Sequence, residues 1–183
     1  IYEGADAVML SAESAAGKYP VEAVETMHNT ALSVESDPTF RQVMVASRMI
    51  ERRSVADGIV AAAREIAEAT DIKAICCFSQ SGTTAQLVAR EKPAVPVIAI
   101  TSNRGTARRL CLTWGTHCVI TETVHQFRAA VAEAVRAAVG EGFATEKDLI
   151  VVTAGLPFNQ PGSTNILRVA PCDERLIFAA EPE

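Results

Sequence analysis

A hydroxyl-rich loop with one glycine occupies positions 79–84, between an apolar run and a helical pattern. The glycine, Gly82, lets the backbone approach a ligand closely, and the hydroxyl groups beside it can donate hydrogen bonds. Free backbone amides at the start of the following helix favour an anion. The candidate phosphate-binding residues are Ser79, Ser81, Gly82, Thr83 and Thr84. The alternative is an N-capping turn at the protein surface that holds no ligand.

Ser11 and Glu13 form a second candidate pair. They follow the apolar residues 7–10, which are predicted to form a strand, and Pro20 then begins a predicted helix. The carboxyl end of such a strand is where α/β barrels place active-site residues. The alternative is a generic strand-to-helix loop, in which the serine and the glutamate only cap the next helix.

The cysteines and histidines show no metal or disulfide pattern. The five cysteines contain no C-x-x-C motif, and their number is odd. The three histidines, His28, His117 and His125, lack the spacing of metal ligands. We therefore expect no metal site in this chain.

Apolar periodicity predicts the strands and helices that would hold these loops. The five strands of the main domain are predicted at Ala74–Phe78, Val97–Thr101, His117–Ile120, Leu149–Thr153 and Ile166–Ala170. Helices are predicted at 39–50, at 84–90, at 106–114 and from Val124 onwards. A further helix is predicted to begin at a capping box formed by Ser54 and Asp57. The loop at 155–162 is too short for a parallel crossover, so the last strand should run antiparallel to its neighbour.

This alternation predicts an α/β fold with a doubly wound, mostly parallel five-stranded sheet and an antiparallel last strand. The formal net charge of -5 gives no reason to expect nucleic acid binding. No apolar run approaches the roughly 18 to 20 residues that a membrane helix needs, so a cytoplasmic protein is expected. The first residue, Ile1, is not methionine, and an apolar run follows almost at once, which suggests a piece of a longer protein.

The segment Glu3–Val24 resembles the eighth barrel strand and following loop of pyruvate kinases. The pattern of that family reads Gly-Ala-Asp, four apolar residues, Ser-Gly-Glu-Thr, and then Tyr-Pro and Glu-Ala-Val. Two positions depart mildly from it, because Ala12 replaces the usual glycine and Ser14 replaces threonine. The resemblance implies that Ser11 and Glu13 lie at the rim of the phosphoryl-transfer site.

The resemblance continues through the rest of the chain. Pyruvate kinases carry a similar Ser-x-Ser-Gly-Thr loop, followed by a helix, a Lys-Pro step and a Pro-x-Ile-x-x-Thr strand, which here are 79–84, Lys92-Pro93 and Pro96–Thr101. Sugar isomerase domains carry a similar loop for phosphosugars. The loop at 155–162 resembles the family segment that closes over an effector, which implies ligand-binding positions at Gly155 and Gly162. The alternative for this loop is a plain surface hairpin.

The resemblance implies two domains: residues 1–45 as the last βα remnant of a TIM barrel, and 46–183 as the regulatory α/β domain. It implies a glycolytic parent enzyme that transfers phosphoryl from phosphoenolpyruvate to ADP with Mg2+ (or Mn2+) and K+, and that forms a homotetramer. The catalytic lysine and metal-binding carboxylates of the family would lie upstream, so this chain alone is expected to be inactive.

The role implied for the chain itself is to bind a phosphorylated effector and to contribute to self-association. The effector stays open between a monophosphate, a nucleotide and none. Two other readings also stay open: a phosphosugar-binding module of sugar isomerase type, and a purely structural subunit-contact domain.

Overall fold

The computed structural model describes residues 1–47, 54–158 and 163–179. The chain forms two compact units, Ile1–Ile50 and Glu51–Glu183. The domain boundary predicted after residue 45 stays a prediction.

The first unit consists of helices in the part that is described. They are α1 (Ala12–Ala15), α2 (Pro20–Glu35) and α3 (Pro38–Ala46). Proline at the first position of α2 and of α3 fits the helix start, where a backbone N–H is not needed. Asp37 caps α3, since its side chain accepts a hydrogen bond from the Thr39 amide.

The strand predicted at residues 7–10 is not formed. These residues have no regular secondary structure, and Met9 is 86% exposed. A strand is stable only when a neighbouring strand pairs with its backbone groups, and no other strand is described in the first unit. The predicted strand-and-helix unit is therefore present only as its loop and helix.

The second unit is a five-stranded sheet covered by helices. The strands are β1 (Ile72–Phe78), β2 (Val97–Thr101), β3 (Thr116–Ile120), β4 (Leu149–Gly155) and β5 (Thr164–Pro171). The helices are α4 (Val55–Ala69), α5 (Thr83–Arg90), α6 (Arg104–Leu110), α7 (Phe127–Gly140) and α8 (Glu174–Ala179). Helix α8 was not predicted from the sequence.

The strand order is β3-β2-β1-β4-β5. The first four strands are parallel to their neighbours, and β5 pairs antiparallel with β4. The predicted fold class, with its antiparallel last strand, is therefore confirmed. The central strand β1 is buried along almost its whole length, as expected for a strand between two helical layers.

Two apolar clusters cover the two faces of the sheet. On one face Val60 of α4, Val88 of α5 and Leu110 of α6 pack against the sheet. On the other face Val131 of α7 and Ile177 of α8 do so. Helices on both faces fix the ends of the strands, and therefore the positions of the loops that follow them.

Candidate phosphate-binding site

A pocket lies at the carboxyl ends of the parallel strands. The chain runs from β1 to β2 and β3 on one side and then crosses to β4 and β5 on the other, so the strand order reverses beside β1. In open α/β sheets, ligands bind in the crevice at this reversal. The pocket is lined by Phe78, Ser79, Gln80, Ser81, Thr83, Thr84, Ile100, Thr101, Ser102, Thr121, Glu122, Thr123, Val124, Gly155, Phe158, Ser163 and Thr164.

The loop at 79–84 begins α5 in the way that the sequence predicts. Gly82 immediately precedes the helix with a φ of +95°, a left-handed conformation that favours glycine. Its amide donates to the Ser79 hydroxyl at 3.0 Å, so this hydroxyl shapes the loop. The hydroxyls of Ser81 and Thr83 lie 2.9 Å apart. Both side chains line the pocket, where each can also bond to a ligand.

Thr84 is buried, whereas the sequence predicts a turn at the protein surface. Its side chain is 8% exposed, and its hydroxyl lies 2.7 Å from the hydroxyl of Thr164 at the start of β5. This buried hydrogen bond joins the start of α5 to the neighbouring half of the sheet. Thr84 therefore has a structural role beside the ligand contact predicted for it.

Side chains of helix α6 contact carbonyl oxygens of the loop at 79–84. Thr106 donates a hydrogen bond from its hydroxyl to the Gln80 carbonyl oxygen at 2.8 Å. The guanidinium of Arg109 lies 3.5 Å from the Ser81 carbonyl oxygen. A methyl group at Gly82 would come within 3.3 Å of the side chains of Leu110 and Thr106, a tight contact that adds to the preference of the backbone angle for glycine.

A second group of lining residues is neutral and polar, and it includes Gln80 of the same loop. The Gln80 amide nitrogen donates to the Ser102 hydroxyl at 3.1 Å, and the Thr123 hydroxyl donates to the same oxygen at 3.3 Å. This polar group (Gln80, Ser102 and Thr123) links the loops after β1, β2 and β3. The sequence motifs missed Ser102, although it directly follows β2, which ends at the same edge of the sheet.

The carboxylate of Glu133 is fixed by hydrogen bonds from Thr121 and Arg136. The hydroxyl of Thr121 donates to Glu133 at 2.8 Å, and Arg136 donates to the other carboxylate oxygen at 2.6 Å. The hydrogen bond from Arg136, supported by the one from Thr121, lowers the pKa of Glu133. This hydroxyl of Thr121 is therefore used to fix the loop after β3.

Gly155, Phe158 and Ser163 line one side of the pocket. A methyl group at Gly155 would lie 2.3 Å from the Ser163 hydroxyl oxygen and 2.8 Å from its backbone carbon, so this close approach requires glycine. The side chain of Asn165 accepts from the Leu156 amide and donates to the Leu156 carbonyl oxygen. Gly162, the other predicted position in this loop, lies outside the described residues.

Ser11 and Glu13 lie in the first unit. The Glu13 carboxylate accepts a hydrogen bond from the Ser11 amide at 3.0 Å, where α1 begins. Hydrogen bonds from its own backbone amide and from that of Ser11 lower the pKa of Glu13. Neither α1 nor α2 has a side-chain capping hydrogen bond at its first turn. The role of Ser11 and Glu13 at an active-site rim stays a prediction.

The described ranges contain neither a metal-ligand cluster nor a membrane-spanning helix. Residues 1–47, 54–158 and 163–179 contain no group of three or more histidine, cysteine or acidic side chains that could hold a metal ion. None of the helices in these ranges is long and apolar enough to cross a membrane.

The chain is similar to known proteins over most of its length. Residues 57–170 match the family model described as the pyruvate kinase alpha/beta domain. Pyruvate kinase from Methylorubrum extorquens is 44% identical over 93% of this chain and 36% of its own length. Pyruvate kinase from Geobacillus stearothermophilus is 41% identical over 92% of this chain and 29% of its own length.

A solved structure shares the arrangement of elements. It is a Cryptosporidium parvum pyruvate kinase in complex with ADP, with a TM-score of 0.76 and 26% sequence identity. The match covers 93% of this chain and 35% of that one. The chain thus spans about a third of the length of the proteins that it matches.

Proposed function

Because the chain belongs to the pyruvate kinase family, we propose that it supplies the α/β domain of an enzyme that transfers a phosphoryl group from phosphoenolpyruvate to ADP. The relatives that support this assignment are named pyruvate kinase. On the basis of these relatives, we propose that the parent enzyme acts in glycolysis and is located in the cytoplasm.

We propose that the parent enzyme, rather than this chain, binds the Mg2+ (or Mn2+) and K+ that the reaction uses. The described residues of this chain offer no ligand cluster for a metal ion, so no chemical step is assigned to a metal here. Phosphoryl transfer depends on positioned cations around the phosphates. The loop at 79–84 offers hydroxyls and amides instead, which suits binding rather than transfer.

The role proposed for the chain itself is to bind a small phosphorylated molecule in the pocket. The observation that carries this proposal is the loop at 79–84, where Gly82 precedes α5 and the hydroxyls of Ser81 and Thr83 line the pocket. The free amides at the start of an α-helix attract an anion, and the two hydroxyls add donors. The match of residues 57–170 to the pyruvate kinase domain favours this role over a sugar isomerase module.

Binding at this loop would regulate the parent enzyme if the ligand prefers one of its conformations. A second role, in contacts between subunits, is favoured by β3 and β5, the edge strands of the sheet in the described part of the chain.

Replacing Thr83 with glutamate tests the phosphate site. Thr83 is the first residue of α5, where a carboxylate suits the helix but occupies the space of the anion. Calorimetry should show that wild type binds glucose 6-phosphate and that Thr83→Glu weakens binding at least about tenfold, because charge-assisted hydrogen bonds are lost.

Thr70→Glu is the matched control. Thr70 is exposed and precedes β1, so it lies at the opposite end of that strand from the loop. The control should bind like wild type. The proposal is wrong if wild type binds none of glucose 6-phosphate, ribose 5-phosphate, AMP or fructose 1,6-bisphosphate, or if Thr83→Glu binds equally well.

A further inference from the structure

Two cysteines lie in a groove that is separate from the pocket at the 79–84 loop. The groove has a volume of about 310 Å3 and is lined by Arg104, Ala107, Arg108, Cys111, Cys118 and Ile120. None of these residues lines the pocket of the proposed phosphate site. The first four lie at helical spacing along α6 and the residue that ends it, and the last two lie on one face of β3. The groove therefore runs between α6 and β3.

The direction of the chain brings the two cysteines to the same end of this groove. A helix that connects two parallel strands runs back along them, so the end of α6 lies beside the start of β3. Cys111 directly follows α6, and Cys118 is the third residue of β3. Cys118 is the strand partner of Ala99, and both pack in the apolar cluster that contains Leu110 of α6. The thiol of Cys118 therefore faces α6.

The two thiols differ in their access to solvent. Cys111 is exposed, and its thiol donates to the Ala107 carbonyl oxygen at 3.4 Å. Cys118 is partly buried, and this burial raises the pKa of its thiol, to which the charge of the nearby Cys111 adds. Because the thiolate is the reactive form, Cys118 should react more slowly than Cys111 with a reagent in solution. The other three cysteines of the chain are buried.

Two arginines give the groove a positive charge. Arg104 and Arg108 are exposed and lie one turn apart on α6, and neither side chain forms an ion pair within the described residues. Arg108 also lies one turn before Cys111 on the same face of the helix. The described lining of the groove contains no acidic side chain. A reagent that carries a carboxylate is therefore attracted toward the exposed thiol.

We infer that Cys111 and Cys118 form a redox-active pair that reduces small disulfides carrying carboxylate groups, and that Arg108 attracts the carboxylate. The Cys111 thiolate attacks one sulfur of the reagent and forms a mixed disulfide, while the other half of the reagent leaves as a thiolate. The Cys118 thiolate then attacks the Cys111 sulfur and displaces the second half. Each cysteine gives its proton to solvent, two electrons pass to the reagent, and a Cys111–Cys118 disulfide remains.

Dithiobis(nitrobenzoate), an aromatic disulfide with two carboxylates, tests this inference on the folded 183-residue chain. Wild type should release two thionitrobenzoate ions per chain in two phases, because the less accessible Cys118 reacts second, and should keep no adduct. The tryptic peptide 110–128 contains both cysteines and no other, so mass spectrometry should find it lighter by two hydrogen atoms. Release of a single ion with a stable adduct would overturn the inference.

Variants of single cysteines separate the two steps. Cys118→Ser should release one ion and keep the other half of the reagent on Cys111, since no second thiol can displace it. Cys111→Ser should react about tenfold more slowly than wild type, because the remaining thiol of the pair is partly buried. Cys172→Ala removes a buried cysteine on the other face of the sheet and should behave like wild type. Release of two ions by Cys118→Ser would contradict the role of Cys118.

Removing the charge at position 108 tests the attraction of the carboxylate. Arg108→Gln should slow the first phase about threefold at low ionic strength and leave the reaction with neutral iodoacetamide almost unchanged. Arg175→Gln is the matched control, since it removes the same charge from α8 on the other face of the sheet, where the side chain is 82% exposed. Equal slowing in the control, or equal slowing with both reagents, would overturn the role of Arg108. None of these measurements depends on phosphate binding at the 79–84 loop.

Discussion

At the scale of single residues, one buried hydroxyl pair connects the candidate site to the fold. The hydroxyls of Thr84 and Thr164 lie 2.7 Å apart where α5 and β5 begin. Removing one partner leaves the other buried without its hydrogen bond, whereas replacing both by apolar groups of similar shape can be almost neutral. The free energies of unfolding of the two single variants and the double variant can therefore show whether the hydroxyls depend on each other.

Thr84→Val and Thr164→Val should each lower the free energy of unfolding by about 1 to 2 kcal/mol. The double variant should lose less than the sum, because no unpaired hydroxyl remains. Urea denaturation followed by the fluorescence of Trp114, the single tryptophan of the chain, reports on the second unit. Additive losses would show that the two hydroxyls do not depend on each other.

At the scale of elements, Asp57 connects the two helices that position the loop. One carboxylate oxygen accepts from the backbone amide and the hydroxyl of Ser54, which completes the capping box of α4. The other accepts from Arg90 at the end of α5, at 2.7 Å. One side chain therefore fixes both the start of α4 and the end of α5.

Asp57→Ala should lower the free energy of unfolding by about 1 to 2 kcal/mol, because the cap and the ion pair are lost together. Ser54→Ala is the matched control for the cap alone and should lose about 1 kcal/mol. Arg90→Met should lose less than about 1 kcal/mol, since its side chain is 42% exposed. Chemical denaturation checks all three, and a smaller loss for Asp57→Ala than for Ser54→Ala would contradict this account.

The elements were predictable where local patterns decide them. The strand Val97–Thr101 has the bounds predicted from its apolar run, and the capping box before α4 forms as predicted. The antiparallel direction of β5 follows from the short loop before it. Residues 7–10 did not form the predicted strand, because strand formation depends on a partner rather than on the apolar run alone.

The candidate site was only partly predictable for the same reason. The motif at 79–84 identifies the loop after β1 from its glycine and hydroxyls. Ser102 and Thr123 join it only because β2 and β3 end at the same edge of the sheet as β1, and this proximity is set by the strand order. The buried partner of Thr84 lies eighty positions away, so no local pattern indicates it.

At the scale of the whole molecule, β3 and β5 are the two edge strands of the sheet, and among the described residues no further strand pairs with their outer sides. Strand β3 forms one edge with five residues, and β5 forms the other with eight. A long edge strand is a template for pairing with another chain, and a two-fold axis would pair two copies of β5 antiparallel. We therefore expect the chain to form at least a dimer through β5.

Charge substitutions on the two edges identify the contact. Val169 of β5 is 42% exposed, and Val169→Lys would bring like charges together across a two-fold contact, so light scattering at micromolar concentrations should show the dimer dissociating toward a 19.5 kDa monomer. Ile120 of β3 is 52% exposed, and Ile120→Lys is the matched control, which should leave the dimer mass unchanged. A strictly monomeric wild type would contradict self-association. If Ile120→Lys dissociates the dimer and Val169→Lys does not, the contact between subunits lies at β3 rather than at β5.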